Sequence, residues 1–463
     1  MRDFTEGSVI KQLVHFSVPM LLTNLLQAMY EIVDAMWVGK LIGHKAFAAV
    51  SVTMPIFFLL LSAMIGLTIA TTILAGQAFG SKNMKLLSKV LTNSFLGTGL
   101  ICVVISAIGI IFSENLLTLV NTPPEIRKDA HTFFVIMVAG IVPMFGYNWF
   151  SGVLRGLGDA KTPLYLLIVS SVINITLVPV LIKGVGPFPA LGITGAALGT
   201  IISSIIMLFV AYFFVLRKHP LLNIRKWDFA LDKEIWRKIF IIGIPVSLQM
   251  IVVSLSGTLI MSLVNTFGVQ MTAAYGIGMQ LDQLAFMPAM AIGMSVSSMV
   301  AQNLGAKKYD RVREITKLSI LLSLAMSLVF FIIFYTFPIQ VASFFTKENS
   351  VLVLTKEYIR IVSFTYFIFS VMFALQGVVR GAGDTMYMLI FGLIGFVGVR
   401  YPLAYALTKF TTMREYGIWV AILISTFVGL VLNYWYYRSG RWRTKVIVTH
   451  NPMPETAVIT EKD

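Results

Sequence analysis

Runs of about twenty apolar residues recur along the whole 463-residue chain. Each is long enough to cross the hydrocarbon core of a bilayer as a helix, which takes roughly 20 residues. Backbone polar groups find no water at that depth, so only helices and closed barrels can span it. Barrel strands alternate polar and apolar residues, and these runs do not, so the fold class is an all-α polytopic membrane protein. Reading between polar breaks gives twelve spans, near 13–38, 46–79, 90–112, 131–154, 163–183, 192–216, 239–264, 272–301, 316–338, 358–379, 387–409 and 417–437. The second and eighth exceed what a bilayer needs and contain Pro55 and Pro288, which predicts tilt or a bend. The first is not a cleavable leader, because its apolar stretch is too long and carries Glu31 and Asp34.

Composition narrows the function. Only 12% of residues are charged, against about a quarter in soluble proteins, which excludes an ordinary soluble enzyme. One cysteine, Cys102, excludes a disulfide framework or a cysteine metal cluster, and five scattered histidines offer little more, so no metal or cofactor is expected. The net charge of +15 reads as topology. The termini and even-numbered loops hold 25 Lys and Arg, and the odd-numbered loops hold 9. By the positive-inside rule both termini are cytoplasmic, in the cell membrane. Anionic lipid then accounts for the basic excess and no nucleic-acid partner is needed.

The chain also repeats itself at a spacing of 225 to 227 residues. Arg155-Gly156-Leu157-Gly158-Asp159 returns as Arg380-Gly381-Ala382-Gly383-Asp384. Gln77-x-x-Gly80 returns as Gln302-x-x-Gly305, and Lys82 answers Lys307. Pro19, Gly192 and Tyr212 return as Pro245, Gly417 and Tyr437. Six spans per half insert both halves the same way up, as two pseudo-symmetric six-helix bundles around a central cavity. The expected division is 1–216 for the first bundle, 217–238 for a basic cytoplasmic linker, 239–437 for the second bundle and 438–463 for a cytoplasmic tail. The glycine-rich loops are not phosphate loops, since no strand precedes them and no Lys-Ser/Thr follows. Their expected use is structural, with Gly ending the helix and Arg and Asp tying a tight loop.

With these residues in place the chain resembles the multidrug and toxic compound extrusion (MATE) transporters, the DinF-like branch being the candidate subgroup. The resemblance rests on Ser17-Val18-Pro19 at the start of span 1, Asp34 followed by Trp37-Val38, the Gln-x-x-Gly ends of spans 2 and 8, and the paired loops RGLGDAKTP and RGAGDTM. It implies an antiporter that exports amphipathic, often cationic compounds while H⁺ or Na⁺ enters.

Ionisable groups at membrane depth cost about 2.5–3.5 kcal/mol each by insertion scales, so they mark function unless paired. Glu31, Asp34, Asp282 and Arg400 are the four that stand out. Asn24, Gln27, Glu31 and Asp34 follow helical spacing and form one polar stripe, which must face protein or water. Resemblance to the family implies that Asp34 couples the ion, with Asn174 in span 5 and Thr200 in span 6. The family's second acid falls on Val178, and its acids in spans 7 and 10 fall on Val253 and Phe369. One carboxylate suits a proton better than a caged Na⁺, which favours several anionic or carbonyl oxygens, although Glu31 offers a replacement charge. Span 8 instead carries Gln280, Asp282 and Gln283, a candidate substrate or second coupling site. Arg400 is expected to pair with Asp282 or another carboxylate. Unpaired, it would favour an anionic substrate. Met20, Met29, Met36, Met54 and Met64 are candidates for a repackable lining.

The leading expectation is a monomeric H⁺- or Na⁺-coupled exporter of small amphipathic molecules by alternating access. Its alternative is a flippase for a lipid-linked or anionic amphipathic substrate, which twelve spans disfavour and Arg400 favours. An intramembrane enzyme is excluded by the lack of a nucleophile-and-base motif.

Overall fold

The computed structural model describes residues 2–186, 189–218 and 230–445, with side chains through 214 in the second of these stretches. Half of the expected linker, 219–229, and the tail from 446 onward lie outside the described residues. Among the described residues the chain is helical with no strand.

In the first half α1 (Val9–Leu41), α2 (His44–Gly80) and α3 (Met84–Ile111) are long spans. A short α4 (Ser113–Leu119) leads to α5 (Pro124–Ala139) and α6 (Ile141–Gly156), two pieces of one span bent by 42° at Gly140. Then come α7 (Lys161–Lys183) and α8 (Gly192–Lys218). The second half repeats the order with α9 (Lys233–Asn265), α10 (Val269–Gly305), α11 (Tyr309–Thr336), a short α12 (Pro338–Ala342), the pair α13 (Asn349–Val362) and α14 (Thr365–Ala382), and a composite span. That span joins α15 (Thr385–Gly392), a π-helical segment Leu393–Arg400 and α16 (Tyr401–Phe410), before the closing α17 (Tyr416–Ser439). Counting the bent pair as one span, twelve helices among the described residues are long and apolar enough to cross a membrane. Helices α2 and α10 run through Pro55 and Pro288 without interruption.

Helix ends follow local chemistry. Asn83 and Asp232 cap α3 and α9 by accepting backbone N–H bonds from Leu86, and from Glu234 and Ile235. Lys82 and Lys307, the repeat mates, both take left-handed backbone at φ 57° and 59°, so the turns after α2 and α10 are copies. In the RGxGD loops Gly158 and Gly383 supply φ 81° and 79°. Asp159 accepts from the Thr162 N–H (3.0 Å) and hydroxyl (2.7 Å) at the start of α7, while Asp384 accepts from Tyr436 Oη at 3.0 Å. Asp159 thus ties its own turn, as expected, whereas Asp384 reaches across to α17 instead of tying its loop.

The first and last described stretches, around Phe4 and Trp442, lie at one end of the molecule, and that end is where the halves lock. A Cβ on Gly80 would overlap the Gln302 carbonyl, and one on Gly305 would overlap the Gln77 carbonyl, so the ends of α2 and α10 cross backbone to backbone. The glutamines complete the crossing. Gln77 Nε2 donates to Gly381 O at 3.0 Å and Gln302 Nε2 donates to Gly156 O at 2.9 Å, each reaching the RGxGD motif of the other half. Nearer mid-span, α2 meets α9 at Gly66 and Gly243, where either Cβ would collide with the other helix.

The amino-terminal segment straps this end. Arg2 N donates to Leu157 O (3.2 Å) in the first half. Phe4, fully buried, donates its N–H to Gln302 Oε1 (2.9 Å) and accepts at its carbonyl from Asn303 Nδ2 (3.1 Å) and Arg311 Nε (2.7 Å) in the second. Arg311 Nη2 also donates to the Glu6 and Gly7 carbonyls and to Gln12 Oε1.

Two outcomes follow from this packing. Gly305→Val should lower the melting temperature of the purified protein, since overpacking costs about 1–3 kcal/mol or more where only backbone can yield; Gly257→Ala, with nothing within 4 Å of the new methyl, should leave it level or raise it. Arg311→Ala should speed proteolysis of the amino-terminal segment without unfolding the bundles, and an unchanged cleavage rate would show that the strap is not held this way.

Candidate functional site

In the first bundle the polar residues of three helices meet. Thr200 Oγ1 of α8 lies 3.3 Å from Asp34 Oδ2 of α1, as donor, and receives Asn174 Nδ2 of α7 at 3.3 Å. Asn174 and Thr200 are buried, at 0% and 3% exposure, and Tyr30 lies beside Thr200 and Asp34. Two oxygens here, Asp34 Oδ1 and Asn174 Oδ1, are buried without a hydrogen-bond partner among the described residues. An unsatisfied buried acceptor is costly, and a proton or a cation is what relieves it. Val178 is fully buried and supplies no second acid.

The stripe along α1 divides. Asp34 turns inward, whereas Glu31 is exposed and accepts from Gln27 Nε2 at 3.1 Å. Glu31 therefore stands apart from the Asp34–Thr200–Asn174 cluster. Of the methionines, Met20 and Met64 are buried in the packing, and Met36 lines a cleft of ≈ 450 Å³ with Ile32, Lys40, His44 and Phe47 at the end of α1 away from the termini.

The second bundle arranges its charges differently from the expectation. Asp282 of α10 accepts from Tyr358 Oη at 2.5 Å and from Tyr366 Oη at 2.9 Å, one hydroxyl on each carboxylate oxygen. Around this pair Tyr275 stacks on Trp419 and Tyr358 meets Trp419 edge-on. Gln280 and Gln283 are exposed, while Asp282 is turned into the bundle. The expected Arg400–Asp282 ion pair is absent among the described residues. Arg400 instead donates from Nε to Ser425 Oγ (3.0 Å) and from Nη2 to Thr426 Oγ1 (3.2 Å), both on α17, with the Phe396 ring 4.6 Å from its carbon. The two acceptors of Asp282 are met by tyrosyl hydroxyls from α13 and α14, one each, while the guanidinium is held by hydroxyls of α17 instead.

Filtering the sequence for charge at membrane depth found Asp34, Asp282 and Arg400 but missed Tyr30, Tyr358, Tyr366, Ser425 and Thr426. Neutral hydroxyl groups carry little insertion cost and leave no such signal. Ser425 was nonetheless traceable, since it stands 225 residues after Thr200.

Comparison with known proteins accounts for this architecture. The family model MatE matches twice, over residues 19–180 and 245–406, at the spacing of the internal repeat. Probable multidrug resistance protein YoeA of Bacillus subtilis (strain 168) is 37% identical over 447 residues, covering 96% of both chains. Probable multidrug resistance protein YpnP of the same strain is 35% identical over 454 residues, 96% of this chain and 99% of that one. A crystal structure of MATE in the bent conformation superposes with a TM-score of 0.88 at 22% identity, over 96% of this chain and 98% of that chain, which speaks for the fold. The duplicated match and the full-length relatives show that this chain belongs to the MatE family and is a membrane transporter of the efflux type rather than an enzyme.

Proposed function

We propose that the chain is a secondary active antiporter that exports amphipathic, often cationic compounds while protons enter through Asp34. The observation that carries this reading is the unpartnered, buried Oδ1 of Asp34 beside the Thr200–Asn174 relay. A carboxylate in that position gains from taking up a proton and must give it up when water reaches it from the other side. With Val178 buried nearby and Glu31 turned away, the cluster offers one carboxylate, too few charges for a Na⁺ cage and enough for a proton. Alternating access is supported by the repeat and by the seal at the end bearing the termini, which a rocking motion of two rigid bundles can break and remake.

The names of the relatives support multidrug export as the physiological class. The basic excess supports insertion in the cell membrane with both termini cytoplasmic, which makes the sealed end the cytoplasmic one. Each bundle completes its own polar cluster, which supports a monomer as the working unit. Glu31 and Gln27, polar and exposed at span depth, are placed by their cost in lipid on the water-filled path, and Asp282 with Gln280 and Gln283 is the candidate second site. A second reading, transport of an anionic amphipath, is favoured by Arg400, which among the described residues is bonded to hydroxyls and to no carboxylate.

Proteoliposomes with imposed gradients test the coupling. Native protein should export a lipophilic dye when driven by a pH gradient and not by a Na⁺ gradient alone. Asp34→Asn keeps the shape and the Thr200 contact but holds no exchangeable acid, so its pH-driven export should fall to the level of protein-free liposomes while dye binding persists. Gradient-driven export at the native rate by Asp34→Asn would remove Asp34 from the mechanism, and transport by Na⁺ alone would reassign the ion.

A further inference from the structure

The two bundles carry matching hydroxyls with opposite charge beside them. Thr200 and Ser425 are repeat mates, at the spacing that also relates Gly192 to Gly417 at the starts of α8 and α17. In the first bundle Thr200 meets an acid, Asp34. The mate of Asp34 is Ile260, apolar and 1% exposed, so the second bundle has no acid at that place.

What occupies the other partner's place is a base. Asn174, which donates to Thr200, has Val399 as its mate by sequence count, yet the residue donating to Ser425 is Arg400. The π-helical segment Leu393–Arg400 supplies the difference. A π turn closes i→i+5 rather than i→i+4 and so takes up an extra residue, turning the side chains after it by about 100° relative to a continuous α-helix. Helix α7, the first-half counterpart, is α-helical throughout.

The hydroxyls around Arg400 leave its charge intact. Ser425 and Thr426 each pass their own proton to Ile422 O, at 3.0 and 2.7 Å, and meet the guanidinium as neutral acceptors. Of the five guanidinium N–H groups the two hydroxyls take two. Nη1 has no hydrogen-bond partner among the described residues, and the side chain is partly accessible. Asp282 acts on Arg400 through space only, its own oxygens being held by Tyr358 and Tyr366. A planar cation with a free edge of donors is the shape that a carboxylate meets bidentately.

We infer that Arg400, turned onto Ser425 and Thr426 by the π segment, is an oxyanion subsite of the second bundle that takes the carboxylate of an amphipathic substrate. This rests on the exporter reading and sharpens it: beside the proton-exchanging Asp34 the molecule offers a fixed positive pole at Arg400, so the amphipathic substrates it favours carry an acidic group, alone or together with a cationic one.

The test compares a rhodamine dye bearing a free carboxylate with its ethyl ester, by fluorescence polarisation on detergent-purified protein and by export from proteoliposomes. Native protein should bind the acid more tightly than the ester. Arg400→Gln should weaken the acid by about tenfold or more, the scale of a charge-assisted bidentate contact, and leave the ester within about twofold. Arg400→Lys, which keeps the charge and loses the fork, should fall between and keep some preference for the acid. That variant carries the test if Arg400→Gln does not elute as a monodisperse peak. Equal losses for acid and ester in monodisperse Arg400→Gln, or no loss for either, would overturn the subsite, as would a folded Arg400→Lys without any preference for the acid. Native protein that exports the ester but does not bind the acid would sink this inference alone. Native protein that exports neither dye under a pH gradient or a Na⁺ gradient would count against the exporter reading itself.

Discussion

The reciprocal crossing of α2 and α10 is the contact on which the rest of the molecule depends. Two glycines, Gly80 and Gly305, let the helix backbones touch, and two glutamines, Gln77 and Gln302, each satisfy a carbonyl in the opposite half. Within the apolar interior of a membrane protein no hydrophobic force separates helix from lipid, so close backbone packing and buried amide bonds are what hold the bundles together. Nearer mid-span α2 also packs on α9 at Gly66 and Gly243, so the crossing is the directional, hydrogen-bonded end of a longer seam between the halves. The strap from Arg2 to Gly7 adds bonds to both halves at this point and ties the start of the chain to the state in which that end is shut.

Pseudo-symmetry gives each bundle the same frame, and polar chemistry then departs from it. The first bundle keeps an acid with two unsatisfied oxygens close by. The second buries its acid under tyrosyl hydroxyls and turns a guanidinium toward the mate of Thr200. A duplicated scaffold with unlike sites is what the proposed antiport would use, one bundle answering to the ion and the other to the cargo.

Much of this was readable from the residues. The twelve spans follow from apolar run length, and the repeat was visible in RGLGD and RGAGD, in the Gln-x-x-Gly pairs and in Lys82 and Lys307, whose left-handed backbone proved to be a shared turn. Asp34, Asn174 and Thr200 come together as the family pattern implied. The pairing of Arg400 with Asp282 was not legible correctly, because opposite charges in neighbouring spans say nothing about the hydroxyls that reach each of them first. Nor could Glu31 be separated from Asp34: one helical turn apart on one stripe, they part only when α7 and α8 pack against a single side of α1.

The sequence by itself determined the membrane fold and the few charges at span depth, which follow from the cost of polarity in a bilayer, and the doubling of six spans, which follows from motifs that recur 225 to 227 residues apart. Tertiary structure alone decided which partners those charges keep. A one-residue change of register in the π segment brings Arg400 rather than Val399 to Ser425, and two tyrosines from other helices claim Asp282. Local propensity does not encode such choices, because they depend on how helices distant in sequence rotate against one another.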